Sequence, residues 1–175
     1  MLKIIGIAVA VIVIGVLIAA ATKPDAFTIT RKGSIKAPPE KVFGFLNDFK
    51  QWAAWSPWEK KDPAMKRIMG AATSGKGATY GWEGNKDVGV GNMEIAESTP
   101  SSKLTIKLNF EKPFKANNIV NFTLAPVADG TEVTWTMEGQ NNFIAKIMQV
   151  FMDMDKMVGP DFEAGLANLK AAAEK

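Results

Sequence analysis

The side chains that most often carry covalent or metal chemistry are missing, since the sequence contains no histidine and no cysteine. This excludes histidine-based nucleophile triads, cysteine nucleophiles and zinc sites built from His or Cys. Paired carboxylates stay open as acid–base candidates. However, Glu83, Glu132 and Glu138 are expected on strand faces opposite the aromatic residues, where they would meet solvent. We therefore identify no catalytic residue.

One segment resembles a phosphate-binding loop without completing it. Residues 70–76 fit the pattern G-x-x-x-x-G-K, but Gly77 stands where a Ser or Thr would hold magnesium. A strand-like stretch follows instead of the helix whose N-terminus would face the phosphates. The segment is better explained as a hairpin loop, and we predict no nucleotide or other cofactor.

A second near-match concerns metal binding. Asp153 and Asp155 form a D-x-D pair, but no further ligands follow at the spacing of a calcium loop. We expect solvated acids near the start of a helix, and no metal site. Net charge is only +3, with Lys and Arg scattered among 18 acidic residues, so no basic stripe for nucleic acid is present.

Aromatic residues are the most distinctive chemical feature, with five Trp and ten Phe against one Tyr. Many lie on the apolar faces of predicted strands or around a predicted second helix. Composition alone favours a simple packed core. The alternative is an incompletely filled interior, in which aromatics and flexible Met residues line a cavity for an apolar ligand. Under that alternative the ligand contacts are Trp55, Trp58, Tyr80, Trp82, Phe110, Phe122, Trp135, Met137 and Phe162.

The elements that would position these residues can be inferred from periodicity. Alternating apolar and polar residues predict strands at 27–35, 78–82, 88–97, 104–110, 120–124 and 131–138. Gly89 and Gly91 suggest a bulge, and Asp129-Gly130 suggests a hairpin turn. Helical spacing predicts one or two short helices over 39–54 and a terminal helix with its apolar stripe from Val158 to Ala173. Residues 55–66 are expected to form a loop.

The N-terminus predicts a membrane anchor. Residues 4–22 lack any charge, Pro or strongly polar side chain, and a helix of that length spans nearly 30 Å, the thickness of a hydrocarbon core. The alternative is a cleaved secretory signal, but the run exceeds the usual length of a signal core. Lys3 favours a cytoplasmic N-terminus, so a single pass would place the soluble domain on the exported side. We expect an anchor region over 1–24 and one domain over 25–175.

Residues 27–173 resemble the superfamily of START, polyketide-cyclase and Bet v 1-like proteins, often abbreviated SRPBCC. The resemblance rests on residues 35–43, 46–52, 55–58, 77–84, 131–135 and 162–169. It implies an α+β helix-grip fold, in which a seven-stranded antiparallel sheet wraps around a long C-terminal helix with a deep cavity between them. It also implies lipid or polyketide-like ligands, and it carries over no catalytic motif. The membrane anchor departs from the usual soluble members.

Three functions stay open. The first is a membrane-anchored, non-catalytic binding protein for a lipid or other hydrophobic small molecule. The second is an accessory or structural subunit of a larger membrane protein complex, which exposed apolar surface would favour. The third is a polyketide cyclase- or dehydratase-like enzyme, which a buried carboxylate would favour.

Overall fold

The computed structural model describes residues 2–175 of the chain as five α-helices, a 3-10 helix and seven strands. The helices are α1 (Leu2–Ala21), α2 (Pro39–Asn47), α3 (Pro57–Lys61), α4 (Phe143–Phe151) and α5 (Met154–Ala173), with the 3-10 helix at Phe49–Ala54. The strands are β1 (Ala26–Ile35), β2 (Lys66–Met69), β3 (Thr79–Glu83), β4 (Val90–Thr99), β5 (Lys103–Lys112), β6 (Ala116–Val127) and β7 (Gly130–Gln140).

All seven strands form one antiparallel sheet in the order β1-β7-β6-β5-β4-β3-β2. Strands β2 to β7 pair in chain order as a meander. Strand β1 pairs with β7 over its whole length and forms one edge of the sheet. Alternating burial along β6 and β7 matches the expected period of two. The predicted bulge is confirmed by register shifts in β4 at Val90–Gly91 and at Ile95–Glu97.

The long helix α5 packs on β1 and closes the apolar face of the sheet. Four residues of its predicted stripe are buried, namely Phe162, Leu166, Leu169 and Ala173. Asp153 caps the helix by accepting from the backbone N–H of Asp155 and Lys156. Gly165 lets the helix approach the sheet closely, because an added Cβ would lie 2.7 Å from the indole ring of Trp135.

The expected loop over 55–66 is wrong in its first half, where the structure forms α3. The helix signals are local and recognisable. Pro57 stands in the first turn after Ser56, Glu59 is also in the first turn, and Lys60 and Lys61 lie in the last turn. This short helix turns Trp58 towards α5, where its ring meets Phe162 edge-on.

Helix α1 is long and apolar enough over residues 3–21 to cross a membrane. Met1, the first residue of the expected anchor region 1–24, lies outside the described residues. The side chains from Lys3 to Gly15 are exposed, whereas Ala20 is fully buried and its neighbours Val16 and Ala19 are half-buried. Helix α4 packs beside α1, which accounts for this shielding near the end of α1.

Candidate functional site

The nine residues predicted to contact a ligand all lie in or against one hydrophobic core. Seven are buried, and Trp58 and Phe110 are half-buried. Their rings form two groups. Trp55, Trp58, Phe122, Trp135 and Phe162 surround one another between α5 and the sheet, and Tyr80, Trp82 and Phe110 follow one another across β3 and β5.

Two rings outside the predicted set join these groups. Phe49 lies 5.7 Å from Tyr80 and 5.2 Å from Trp52, measured between ring centroids, and Trp52 lies 4.8 Å from Trp55. The signal for them was present in the sequence, because residues three apart in a helical segment share a face. The result is one continuous aromatic layer. Whether its members contact a ligand stays a prediction.

Trp135 lies at the centre of the larger group. Its ring stacks on Phe162 with 4.0 Å between centroids and meets Trp55 edge-on. The indole N–H groups of Trp52, Trp55 and Trp82 each donate to a backbone carbonyl at 3.0 Å. The Trp135 Nε1–H is buried without any acceptor among the described residues, so a polar donor faces an otherwise apolar interior.

A charged cluster borders the smaller group of rings. Glu59, whose side chain is only 9% exposed, pairs with the Arg67 guanidinium and accepts from the Tyr80 hydroxyl at 3.0 Å. Burial and the neighbouring Glu59 raise the pKa of the Tyr80 phenol. The hydrogen bond to Glu59 raises the pKa of Arg67. Both oxygens of this carboxylate are therefore occupied, which is the pattern of a structural ion pair.

An open groove of about 480 Å³ lies at the edge of this core, beside the connection from α1 to β1. One wall is the beginning of β1, and the other is the connection between α4 and α5. Its apolar lining includes Phe27, Ile29, Val150, Phe151, Met152 and Met154. The sequence indicated a Met-rich apolar segment at 143–154, but not that it would face the first strand.

Arg31 forms an ion pair with Asp155, one of the residues that line the groove. Its guanidinium donates to both carboxylate oxygens of Asp155 at 2.8 Å and to Glu163 at 2.7 Å. These bonds raise the pKa of Arg31, and the hydrogen bond from Arg31 lowers the pKa of Asp155. Strand β1 and the first turns of α5 are thereby tied together. Asp155, expected from the sequence to be merely solvated, is ion-paired.

This ion pair predicts a pH-dependent contribution to stability. A carboxyl group whose folded-state pKa is lowered contributes fully above its ordinary value, here 3.8, and the contribution is lost as pH falls through the lowered value. We expect Asp155→Asn to destabilise the protein near neutral pH, with the difference from the unmutated chain shrinking as pH falls below 3.8.

Urea unfolding of the full chain at several pH values measures this difference. Asp87→Asn serves as the matched control, because Asp87 has no ion-pair partner among the described residues. An Asp155→Asn effect of constant size from neutral to acidic pH would contradict the assignment.

The segment that partly fits a phosphate-binding loop is a connection between two strands. Residues 70–78 form the connection between β2 and β3, with no helix after it, as expected for a hairpin loop. Within residues 2–175, no group of three or more His, Cys, Asp or Glu side chains is arranged to hold a metal ion.

A curved seven-stranded antiparallel sheet with a long C-terminal helix against it defines the helix-grip class, which confirms the expected α+β fold. Residues 26–174 match the family model described as polyketide cyclase / dehydrase and lipid transport. The chain belongs to that family, and the resemblance seen in the sequence is confirmed. None of the curated proteins matches the chain in sequence.

Solved structures share the fold at low sequence identity. Protein CV1439 from Chromobacterium violaceum is 17% identical with a TM-score of 0.62, over 87% of this chain and 99% of that one. The Aha1 dimer from Colwellia psychrerythraea is 18% identical with a TM-score of 0.61, over 85% and 96%. The di-domain ARO/CYC BexL from the BE-7585A biosynthetic pathway is 14% identical with a TM-score of 0.62, over 90% of this chain and 53% of that one.

Proposed function

We propose that this protein is a membrane-anchored binding protein for a lipid or other hydrophobic small molecule, and that it is not an enzyme. Residues 4–22 cross the bilayer once, and the domain that follows lies on the exported side. The family description, which includes lipid transport, supports the ligand class. The length and composition of α1 support the anchor.

The observation that carries the proposal is the position and lining of the groove. Its lining includes Lys23 and Pro24, directly after the anchor, so the groove lies next to the membrane surface if α1 spans the bilayer. Its volume lies within the range of about 300–1,000 Å³ that is usual for small-molecule sites. Its lining combines apolar side chains with the polar Lys23, Gln149, Asp153 and Asp155. This mixed lining suits an amphiphile with an apolar chain and a polar head.

The enclosed carboxylates support a non-catalytic role. Glu59 is engaged by Arg67 and Tyr80. Asp62 accepts from the backbone N–H groups of Ala64 and Asn85. A general acid or base needs an oxygen that is free to meet the substrate. These contacts hold the oxygens in place and leave the cyclase-like enzyme as the less supported alternative.

The accessory-subunit alternative has one specific observation in its favour. Phe143, Ile144 and Phe151 on α4 are each more than half exposed, as are most apolar residues of α1. A contiguous exposed apolar surface marks either a partner or a membrane. Finding a stoichiometric protein partner that covers α4 in native membranes would favour that function.

Photoaffinity labelling tests the binding function directly. The full chain in mild detergent is incubated with a photoactivatable fatty acid, and the labelled peptides are identified by mass spectrometry. We expect one label per chain on the peptides that contain Phe27, Phe151 or Met152. Ala26→Trp, which places a bulky ring at the groove, should reduce labelling several-fold.

Ala125→Trp is the matched control, because Ala125 is also an exposed strand residue but lies on β6 and away from the groove. Equal labelling of both variants would contradict binding in the groove. Labels on Trp135 or Phe162 would instead place the ligand in the aromatic layer predicted from the sequence. Labelling confined to α1 would indicate detergent-phase contact only and would remove the binding function.

A further inference from the structure

Helix α4 has an apolar face that no part of the described chain covers. Ile144, Met148 and Phe151 recur at i, i+4 and i+7, and their exposed fractions are 59%, 37% and 71%. Phe143 before them and Met152 and Met157 after them are also exposed. No residue of α4 is fully buried in the domain.

The other side of α4 is tied to the short connection between α1 and β1. The Lys146 ammonium pairs with the Asp25 carboxylate, and this contact lowers the pKa of Asp25. Asn141, just before the helix, donates its side-chain amide to the Pro24 carbonyl at 3.0 Å and its backbone N–H to the Asp25 carbonyl at 2.8 Å. Gln149 donates to the Asn141 side chain at 2.7 Å. The polar side chains Lys146 and Gln149 of α4 thus form their contacts on the side that faces the domain.

The depth of α4 relative to the anchor follows from α1. The α1 residues that are shielded, Val16, Ala19 and Ala20, all lie in the stretch before Ala21, where the helix ends. At 1.5 Å per residue, Val16 is about 8 Å from that end. Amphipathic helices that lie in the membrane plane sink about 5–10 Å into the boundary of headgroups and acyl chains. The distance of Val16 from the end of α1 therefore matches the depth expected for an amphipathic helix beside it.

We propose that α4 is a second membrane element, embedded along its Ile144–Met148–Phe151 face in the headgroup and acyl boundary of the bilayer that α1 crosses. This rests on the proposed function, because it requires α1 to span the membrane. It also deepens that function. Phe151 belongs both to the embedded face and to the lining of the groove. The groove therefore opens sideways into the acyl region, and a lipid enters it without crossing water.

The same contacts fix the orientation of the domain. The connection from Thr22 to Asp25 is held by hydrogen bonds to α1 on one side and to Asn141 on the other. With α1 across the bilayer and α4 in its surface, the domain is attached at two places. It therefore keeps one face towards the membrane instead of hanging from a flexible tether.

Spin labels at single cysteines test this, since the sequence has no cysteine of its own. The full chain carrying Ile144→Cys, Met148→Cys or Phe151→Cys is labelled with a nitroxide and placed in phosphatidylcholine nanodiscs. Collision rates with oxygen, which concentrates in acyl chains, and with a water-soluble nickel chelate report the depth of each label. We expect the ratio of oxygen to nickel collisions to be several-fold higher than at Ile68→Cys, an equally apolar but exposed position on β2.

Ile12→Cys in the middle of α1 separates the two ways to fail. A high ratio at Ile12 with a water-like ratio at all three α4 positions would overturn the second membrane element and leave the anchor intact. Water-like ratios at Ile12 as well would remove the anchor and the proposed function with it. Loss of both oxygen and nickel collisions at α4, in discs that hold this protein alone, would show coverage by a second copy and would overturn the proposal.

Discussion

Replacing Trp135 by alanine is expected to lower the free energy of unfolding by about 3–5 kcal/mol, the usual cost of truncating a buried large aromatic. Trp135 is only 2% exposed and contacts four other rings, with Phe162 stacked on it. Gly165 packs directly against it, because it has no Cβ to collide with the indole ring. Because the four rings come from separate segments of the chain, they cannot all move in to fill the space. Urea unfolding of the full chain measures the loss.

A matched pair of smaller changes isolates the indole N–H. Trp52→Phe removes a hydrogen bond to the Leu46 carbonyl, whereas Trp135→Phe removes a donor that has no acceptor. Trp135→Phe should therefore be the milder of the two, because an unpaired buried donor costs free energy.

A small loss of stability for Trp135→Ala would contradict the expected loss of about 3–5 kcal/mol. It would mean that open space adjoins the ring, in favour of the interior cavity expected from the resemblance.

Replacing Arg67 by methionine is expected to destabilise the protein by about 2–3 kcal/mol. The change leaves the Glu59 carboxylate nearly buried and without its cation, and removing one partner of an enclosed charge pair is costly. The magnitude lies below the usual value for a fully buried pair, because the Arg67 side chain is 35% exposed and water screens its charge.

The neighbouring Lys66 provides the control for this change. Lys66→Met removes an exposed pair with Glu83, in which the two side chains are 66% and 51% exposed, and such pairs contribute less than about 1 kcal/mol. Urea unfolding of both variants gives the comparison. Equal losses would contradict the structural role of the Glu59–Arg67 pair. An unchanged stability for Arg67→Met would leave Glu59 free for other chemistry.

Local sequence patterns were sufficient to predict most helices and strands of the fold. The alternation along residues 131–138 and the stripe from Phe162 to Ala173 each reflect a periodicity that the backbone itself imposes. The bulge at Gly91 was also recognisable. The structure adds why glycine is needed there, because a Cβ would lie 2.4 Å from the Asn109 carbonyl oxygen and 2.6 Å from the Trp82 ring. Residues 59–61 are polar, which is typical of a loop, but Pro57 and Glu59 favour a first helical turn and the segment 57–61 is helical.

The candidate sites could be predicted less completely than the helices and strands. The sequence placed seven of the nine candidate side chains on apolar strand or helix faces, while Trp55 and Trp58 were expected in a loop. It could not show how tightly they meet, because ring-to-ring contact depends on the approach of α5 to the sheet. It also did not indicate the groove, which joins residues more than 120 positions apart, as the Asp25–Lys146 and Arg31–Asp155 pairs show.

By itself, the sequence determined the helix-grip family, the apolar N-terminal helix and the lack of His and Cys chemistry, since each depends on composition or on short-range periodicity. Tertiary structure decided that the predicted ligand residues form a continuous aromatic layer, that Glu59 is paired, and that α4 lies against α1 with its apolar face outward. These depend on contacts between distant segments. An apolar stripe in a sequence indicates that a face avoids water, but only the packing shows whether protein covers that face.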